Sequence, residues 1–184
     1  GSSNLQFMQN VAGSFSAPYT VTYNSSIHKK WRLRESGGQV YADYSVDGET
    51  WVNFYHATSP IDVSSVQVEL SCREHTSTGS PGSLQYDNFN IYTAADAITT
   101  LTDNFDDNSI NTALWTSYTA NGGSITEAGQ KLTYLLQAST NGSWAGLYSK
   151  AQYDLTGNRV SIEVPAGTSG GNTWFDLTLS MEQL

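Results

Sequence analysis

Positive charge is scarce in this chain: eight Lys and Arg oppose 17 Asp and Glu over 184 residues, for a net charge of −9. Phosphate backbones and anionic membranes need clustered cations, so nucleic acid and membrane insertion are excluded as general modes of action. Cysteine occurs once, as Cys72, and no disulfide can form within the chain. That leaves secretion open, because a large sandwich can be stable through its core alone. No apolar run approaches the roughly 20 residues that span a bilayer, and none reads as a signal peptide. Gly1-Ser2 reads as a cloning remnant, so upstream targeting stays open. Helical periodicity is missing too, since no stretch of about ten residues carries an apolar stripe.

What is present reads as β-structure. Hydrophobic residues make up 38% and aromatics 12%, with 11 Tyr and 5 Trp. Residues 28–55 hold three alternating runs separated by two tight turns. Trp31 and Leu33 face one side of the first run, and Lys30, Arg32 and Arg34 face the other. Gly37-Gly38 and Asp47-Gly48 supply the turns, since hairpin loops need positive φ angles that glycine tolerates. The expectation is a β-meander. Its Lys29, Lys30, Arg32 and Arg34 are half of the eight cations. A solvated strand face paired to Asp43, Glu35 or Glu49 is the favoured reading, and an anion or acidic-glycan patch is the other.

Further short strands are expected at residues 5–8, 15–23, 66–70, 84–92, 124–126, 131–137, 145–148, 160–164 and 174–181. Ala17-Pro18 marks an edge, because proline cannot donate to a ladder. Residues 75–83 and 167–172 read as loops, and 93–102 as a small-residue linker with a weak helical signal at 94–98. Some ten to twelve strands with turn signals every 8–12 residues or so indicate an all-β antiparallel sandwich or jelly roll.

The segments HKKWRLRE (from His28), SVDGETW (from Ser45) and LQYDNF (from Leu84) resemble concanavalin A-like (laminin-G-like, lectin/glucanase) jelly-roll domains of bacterial surface and phage tail proteins. In that family an opening like DNFDDNSINTALW and a segment like YDLTGNRVSIEV come first. Here they follow, beginning at Asp103 and Tyr153. The resemblance covers nearly the whole chain with its halves in circularly permuted order. It implies one sandwich built from 1–92 and 103–184 across the linker, rather than two small ones. It also implies that residues 5–8 lie beside 174–181 and residues 84–91 beside 103–105. Residues 45–51 resemble an Asp-box hairpin one residue short, with Asp47 accepting turn N–H groups and Trp51 packed beneath.

Glycoside hydrolysis needs two carboxylates about 5–9.5 Å apart. Retaining glucanases of the resembled fold carry them alternating on one inner strand, and no such strand is found here. Glu69 and Glu74 straddle Cys72, Glu163 stands alone, and His28, His56 and His75 lack metal-ligand spacing. No serine sits in a nucleophile elbow, so no enzymatic activity is expected. Asp103, Asp106, Asp107 and Asn108 crowd one loop, with Asp87 on the strand expected beside it. Calcium takes six to eight oxygens, which such a loop can help supply, and jelly-roll modules often hold a structural calcium there. The other reading is that these are turn residues bonded to backbone. Sugar stacking would use exposed aromatics, with Trp144, Tyr148, Tyr41 and Trp174 as candidates beside Tyr44 and Tyr55. Trp144, after Asn141-Gly142-Ser143, is expected to be the most exposed. The function expected is a non-catalytic extracellular, cell-surface or virion module that binds a glycan or cell-surface polysaccharide, as a monomer. The alternative is a structural spacer whose half-domains complement one another head to tail in a fibre.

Overall fold

The meander is present as read. In the computed structural model, which describes residues 4–11, 14–74, 80–91, 98–138, 141–169 and 173–181, an N-terminal hairpin comes first, β1 (Asn4–Val11) with β2 (Ser14–Thr22). The meander is β3 (Lys30–Ser36), β4 (Gln39–Ser45) and β5 (Trp51–Thr58). Gly37 and Gly38 turn it at φ 63° and 80°, the left-handed pair that a two-residue hairpin loop demands. Then come β6 (Gln67–Glu74), β7 (Gly82–Asp87), β8 (Trp115–Ala120), β9 (Ser124–Glu127), β10 (Leu132–Leu135), β11 (Trp144–Ser149), β12 (Arg159–Ser169) and β13 (Thr173–Ser180). No helix occurs among the described residues, so none is long and apolar enough to cross a membrane.

The strands form antiparallel sheets of seven (β5-β4-β3-β12-β7-β10-β9), four (β13-β6-β11-β8) and two (β1-β2). Both larger sheets mix strands from before and after the 93–102 segment. β12 lies between β3 and β7, and β11 and β13 flank β6. Alternation fills the space between them: Trp31, Val160, Ile162, Leu84, Tyr86, Leu132 and Tyr134 from the seven-stranded sheet meet Val68, Leu70, Cys72, Ala145 and Leu147 from the four-stranded one. Burying a Leu or Val side chain is worth about 1.5–3 kcal/mol, so this one interior is the main source of stability. A second buried group, Phe7, Val40 and Ala42, joins the hairpin to the meander.

The junction of the halves is stitched by backbone. Phe89 and Asp103 exchange both hydrogen bonds, at 2.7 and 3.0 Å, so the expected neighbourhood of 84–91 and 103–105 is present. Beside it, buried Asn90 acts as an extra rung: Ser161 N–H donates to its Oδ1 at 2.7 Å, and its Nδ2 donates to Leu101 O at 3.0 Å.

Two expectations need correction. Residues 5–8 do not lie beside 174–181: β1 pairs with β2, while β13 pairs with β6 and forms the sheet's edge. A short alternating strand fits any partner offering an apolar face, and here its hairpin mate is nearest in sequence. The loop expected at 167–172 is in part strand, since β12 runs on to Ser169 past a register shift after Glu163. Residues 75–79, with His75, residues 93–97 of the linker and residues 170–172 lie outside the described residues.

Candidate functional site

The pleat leaves two outward faces, and their chemistry differs. On the four-stranded sheet, register sets three cross-strand rows: Trp174, Arg73 and Trp144; Asp176, Ser71, Gly146 and Tyr118; Thr178, Glu69, Tyr148 and Thr116. Trp174 and Trp144 stand two strands apart, about 10 Å, with Arg73 between. Trp144 is 47% exposed, as its loop-edge position suggested. The rings of Tyr118 and Tyr148 lie 6.1 Å apart. Gly146 makes room for this arrangement, because a Cβ there would collide with the Tyr118 ring.

Below the rings lies a polar network. The Tyr118 hydroxyl donates to Glu69 Oε1. Arg73 Nε approaches Asp176 Oδ2 at 3.3 Å. Burial pushes the Asp176 carboxyl up to about 6; Arg73 opposes the shift and the Glu69 charge adds to it. Three of the four aromatics singled out as ligand-binding, Trp144, Tyr148 and Trp174, thus share one face. Tyr118 was not singled out. Its odd spacing of three from the inward-facing Trp115, which puts it on the opposite face of the strand, was the available signal.

Tyr41 lies elsewhere, on the outer face of the seven-stranded sheet. There Asp43, with a side chain 1% exposed, accepts Arg32 Nη2 at 2.7 Å and Arg34 Nε at 2.8 Å on one oxygen. Asn53 donates to the other at 2.9 Å. The Arg32 guanidinium lies 4.2 Å over the Trp51 ring and Arg34 lies 3.8 Å over Tyr41. Asp43 is therefore the partner expected from sequence, whereas Glu35 accepts the Gly38 and Gly157 N–H groups instead. Lys30 pairs with Glu163 at 2.8 Å. Glu163 does not stand alone, for it also faces Asp87 across β12 and β7. Neighbouring Asp47 accepts the Glu49 and Thr50 N–H groups at 2.8 Å, and Trp51 Nε1 donates to Gly48 O at 2.9 Å. Those turn bonds hold the Asp47 carboxyl down at about 2.

The expected calcium residues divide into two groups. Asp103 is tied to the core: its Oδ1 accepts Phe105 N–H at 3.0 Å and its Oδ2 accepts Trp115 Nε1 at 2.9 Å. Asp107 meets Glu127, which sequence reading did not single out, because one glutamate ending a four-residue strand carries no pattern. Burial, then the adjoining Asp107 carboxylate, pushes the Glu127 carboxyl up to about 7; its Oε1 accepts Ser109 N–H at 3.2 Å, and its Oε2 is buried with no donor among the described residues. Asn108, at φ 61°, accepts Gly129 N–H through Oδ1 at 3.0 Å. Asp87 belongs to the other group; burial raises its pKa, and Glu163 and Asp106 add to the shift. Among the described residues no three acid, histidine or cysteine side chains converge as a metal cage.

No protein-family model matches the chain, and no curated protein matches it.

Proposed function

We propose that this is a carbohydrate-binding or adhesive β-sandwich module of an extracellular, cell-surface or virion protein, without catalytic activity of its own. The observation that carries the reading is the outer face of the four-stranded sheet. Trp144, 47% exposed, is the stacking platform, with Trp174 two strands away and Tyr118 and Tyr148 beside it. Asp176, Glu69, Ser71 and Arg73 stand between them as hydroxyl readers. With two carboxylates on this face and a net charge of −9, a neutral glycan suits it better than an acidic one. Affinity electrophoresis through neutral polysaccharides tests this. Retardation of the wild-type chain that is lost in a Trp144→Ala, Trp174→Ala double variant with an unchanged melt supports it; equal retardation of both sinks it.

Calcium belongs to the same reading. Asp107 and Glu127 carry two carboxylates in contact, which requires a shared proton or a cation, and the unpartnered Glu127 Oε2 favours the cation. These two acids, with Asp103 and Asn108 on the same loop, are the residues that would hold it. A second functional reading, assembly, rests on both sheets drawing strands from both halves, because the same pairings can form between chains. The 93–102 tether reaches at most about 36 Å and favours self-closure at micromolar concentration. Light scattering after size exclusion is expected to give a mass near the 20.0 kDa of one chain; concentration-dependent polymers would make the fibre reading correct.

A further inference from the structure

We infer that Lys30, Glu163 and Asn88 form a self-modification site, where the Lys30 amine condenses with the Asn88 side-chain amide to make a covalent cross-link. Of the four lysines in the chain, Lys30 alone is buried, at 7% exposure. Register places it. Glu163 on β12 has Lys30 of β3 as its direct partner on one side and Asp87 of β7 on the other. Side chains paired in this way project from the same face of the sheet. Asn88 joins them by departing from the pleat. Alternation would send it to the face opposite Asp87, but β7 ends at Asp87 and Asn88 turns at φ 54°. Its Nδ2 donates to Glu163 Oε2 at 3.1 Å, and Lys30 Nζ donates to the same oxygen at 2.8 Å. Two donors on one oxygen are no more than about 6 Å apart, so amine and amide meet over a single carboxylate.

Those are the parts that amide exchange needs. A lysine amine attacks only when neutral, and an amide nitrogen leaves only when protonated. Glu163 touches both nitrogens, so one carboxyl group serves both steps. A proton first passes from Nζ to Glu163, leaving a neutral amine and a neutral acid. Charges are costly to keep out of water, and the Lys30 side chain is only 9% exposed, so the neutral pair lies closer in energy here than in solvent. Nζ then attacks Asn88 Cγ, and the Nζ–Cγ bond forms. Glu163 gives its proton to Nδ2 and takes another from Nζ. The Cγ–Nδ2 bond breaks with its electron pair on nitrogen, and ammonia leaves. No oxidant or other co-reactant is consumed, and each chain reacts once, on itself. Because β12 lies between β3 and β7, the cross-link straps those two strands together across it. Asp87, in the same row, is the competing acceptor, and it would lose water instead of ammonia.

The test is the denatured intact mass of the full chain, taken after the folded protein has been incubated until its mass is constant, followed by peptide mapping. We expect a mass about 17 Da below that of the sequence, the loss of one ammonia, and a branched peptide joining Lys30 to Asn88. Lys30→Arg and Asn88→Ala should each keep the full mass of their own sequence. Lys30→Arg, which retains a cation for Glu163, should melt about 10 °C below the cross-linked wild type, because a bridge between residues 30 and 88 constrains the unfolded chain. Wild-type protein at its unmodified mass overturns the inference. So does an ammonia loss that persists in Lys30→Arg, which would be a cyclic imide formed by an asparagine and its own backbone. A loss of about 18 Da with Lys30 joined to Asp87 would overturn the choice of Asn88. A cross-link still formed by folded Glu163→Gln would overturn proton transfer through Glu163.

Discussion

The two outer faces use the same residue types to opposite ends. On the four-stranded sheet the arginine is single, the indoles flank it, and Trp144 remains 47% exposed. On the seven-stranded sheet, guanidiniums lie over Trp51 and Tyr41, and a carboxylate only 1% exposed holds them there. Ring surface is thus exposed at Trp144 and covered at Trp51 and Tyr41. An aromatic count cannot distinguish these cases; what stands across the strand from each ring decides it.

The largest way to break the contrast is to remove Asp43. Asp43→Ala strands Arg32, whose side chain is 11% exposed, beside Arg34 with no counter-charge. Breaking such a buried pair costs about 3–5 kcal/mol, so chemical denaturation should show a loss of that size. On the other face no single charge has that weight.

Gly146→Ala comes next. The added methyl strikes the Tyr118 ring and lifts its hydroxyl from Glu69, and overpacking of this kind costs about 1–3 kcal/mol. Glycan affinity at the four-stranded face should fall with it. A melt equal to wild type would mean that Tyr118 is free to move aside.

Protons separate the regions more finely. Asp176 (about 6 against 3.8) and Glu127 (about 7 against 4.5) bind protons more tightly in the folded chain than in the unfolded one. The stability they contribute is complete below their unfolded values and is lost as pH rises through 6 and then 7. The melting temperature should therefore decline between pH 5 and pH 8. Asp176→Asn should remove the earlier part of that decline. Calcium should remove the later part by stabilising ionised Glu127, and its gain at a hundredfold excess over Kd is about 2.7 kcal/mol. An unchanged melt with chelator at pH 8 would show that no ion is held there. The smallest effect belongs to Trp144→Ala, within about 0.5 kcal/mol of wild-type stability, because an exposed ring contributes little to the core.

Sequence reading succeeded where information was local. The meander, its glycine turns, the Asp47 hairpin and the inward alternation of β6 are each written within about ten residues of sequence. It failed where a partner had to be chosen. Nothing in residues 5–8 says that 14–22 rather than 174–181 will pair with them. The Glu163–Asp87 and Asp107–Glu127 contacts arise only from register and loop return. The aromatics of the four-stranded face were visible one by one, but their grouping needed the sheet order.

That sheet order also shapes how the chain reaches its native state. When the first 91 residues have emerged from a ribosome, β3, β4 and β5 can already zip together, but β6 and β7 have no neighbour. Their partners β10, β11, β12 and β13 are still to be synthesised. Pairings so distant in sequence form slowly, and unpaired strand edges invite association with other chains while they wait. Folding is therefore committed only once β11, β12 and β13 have been made, and a nascent chain stalled at the 93–102 segment would display the unpaired edges of β3, β6 and β7 to whatever lies nearby.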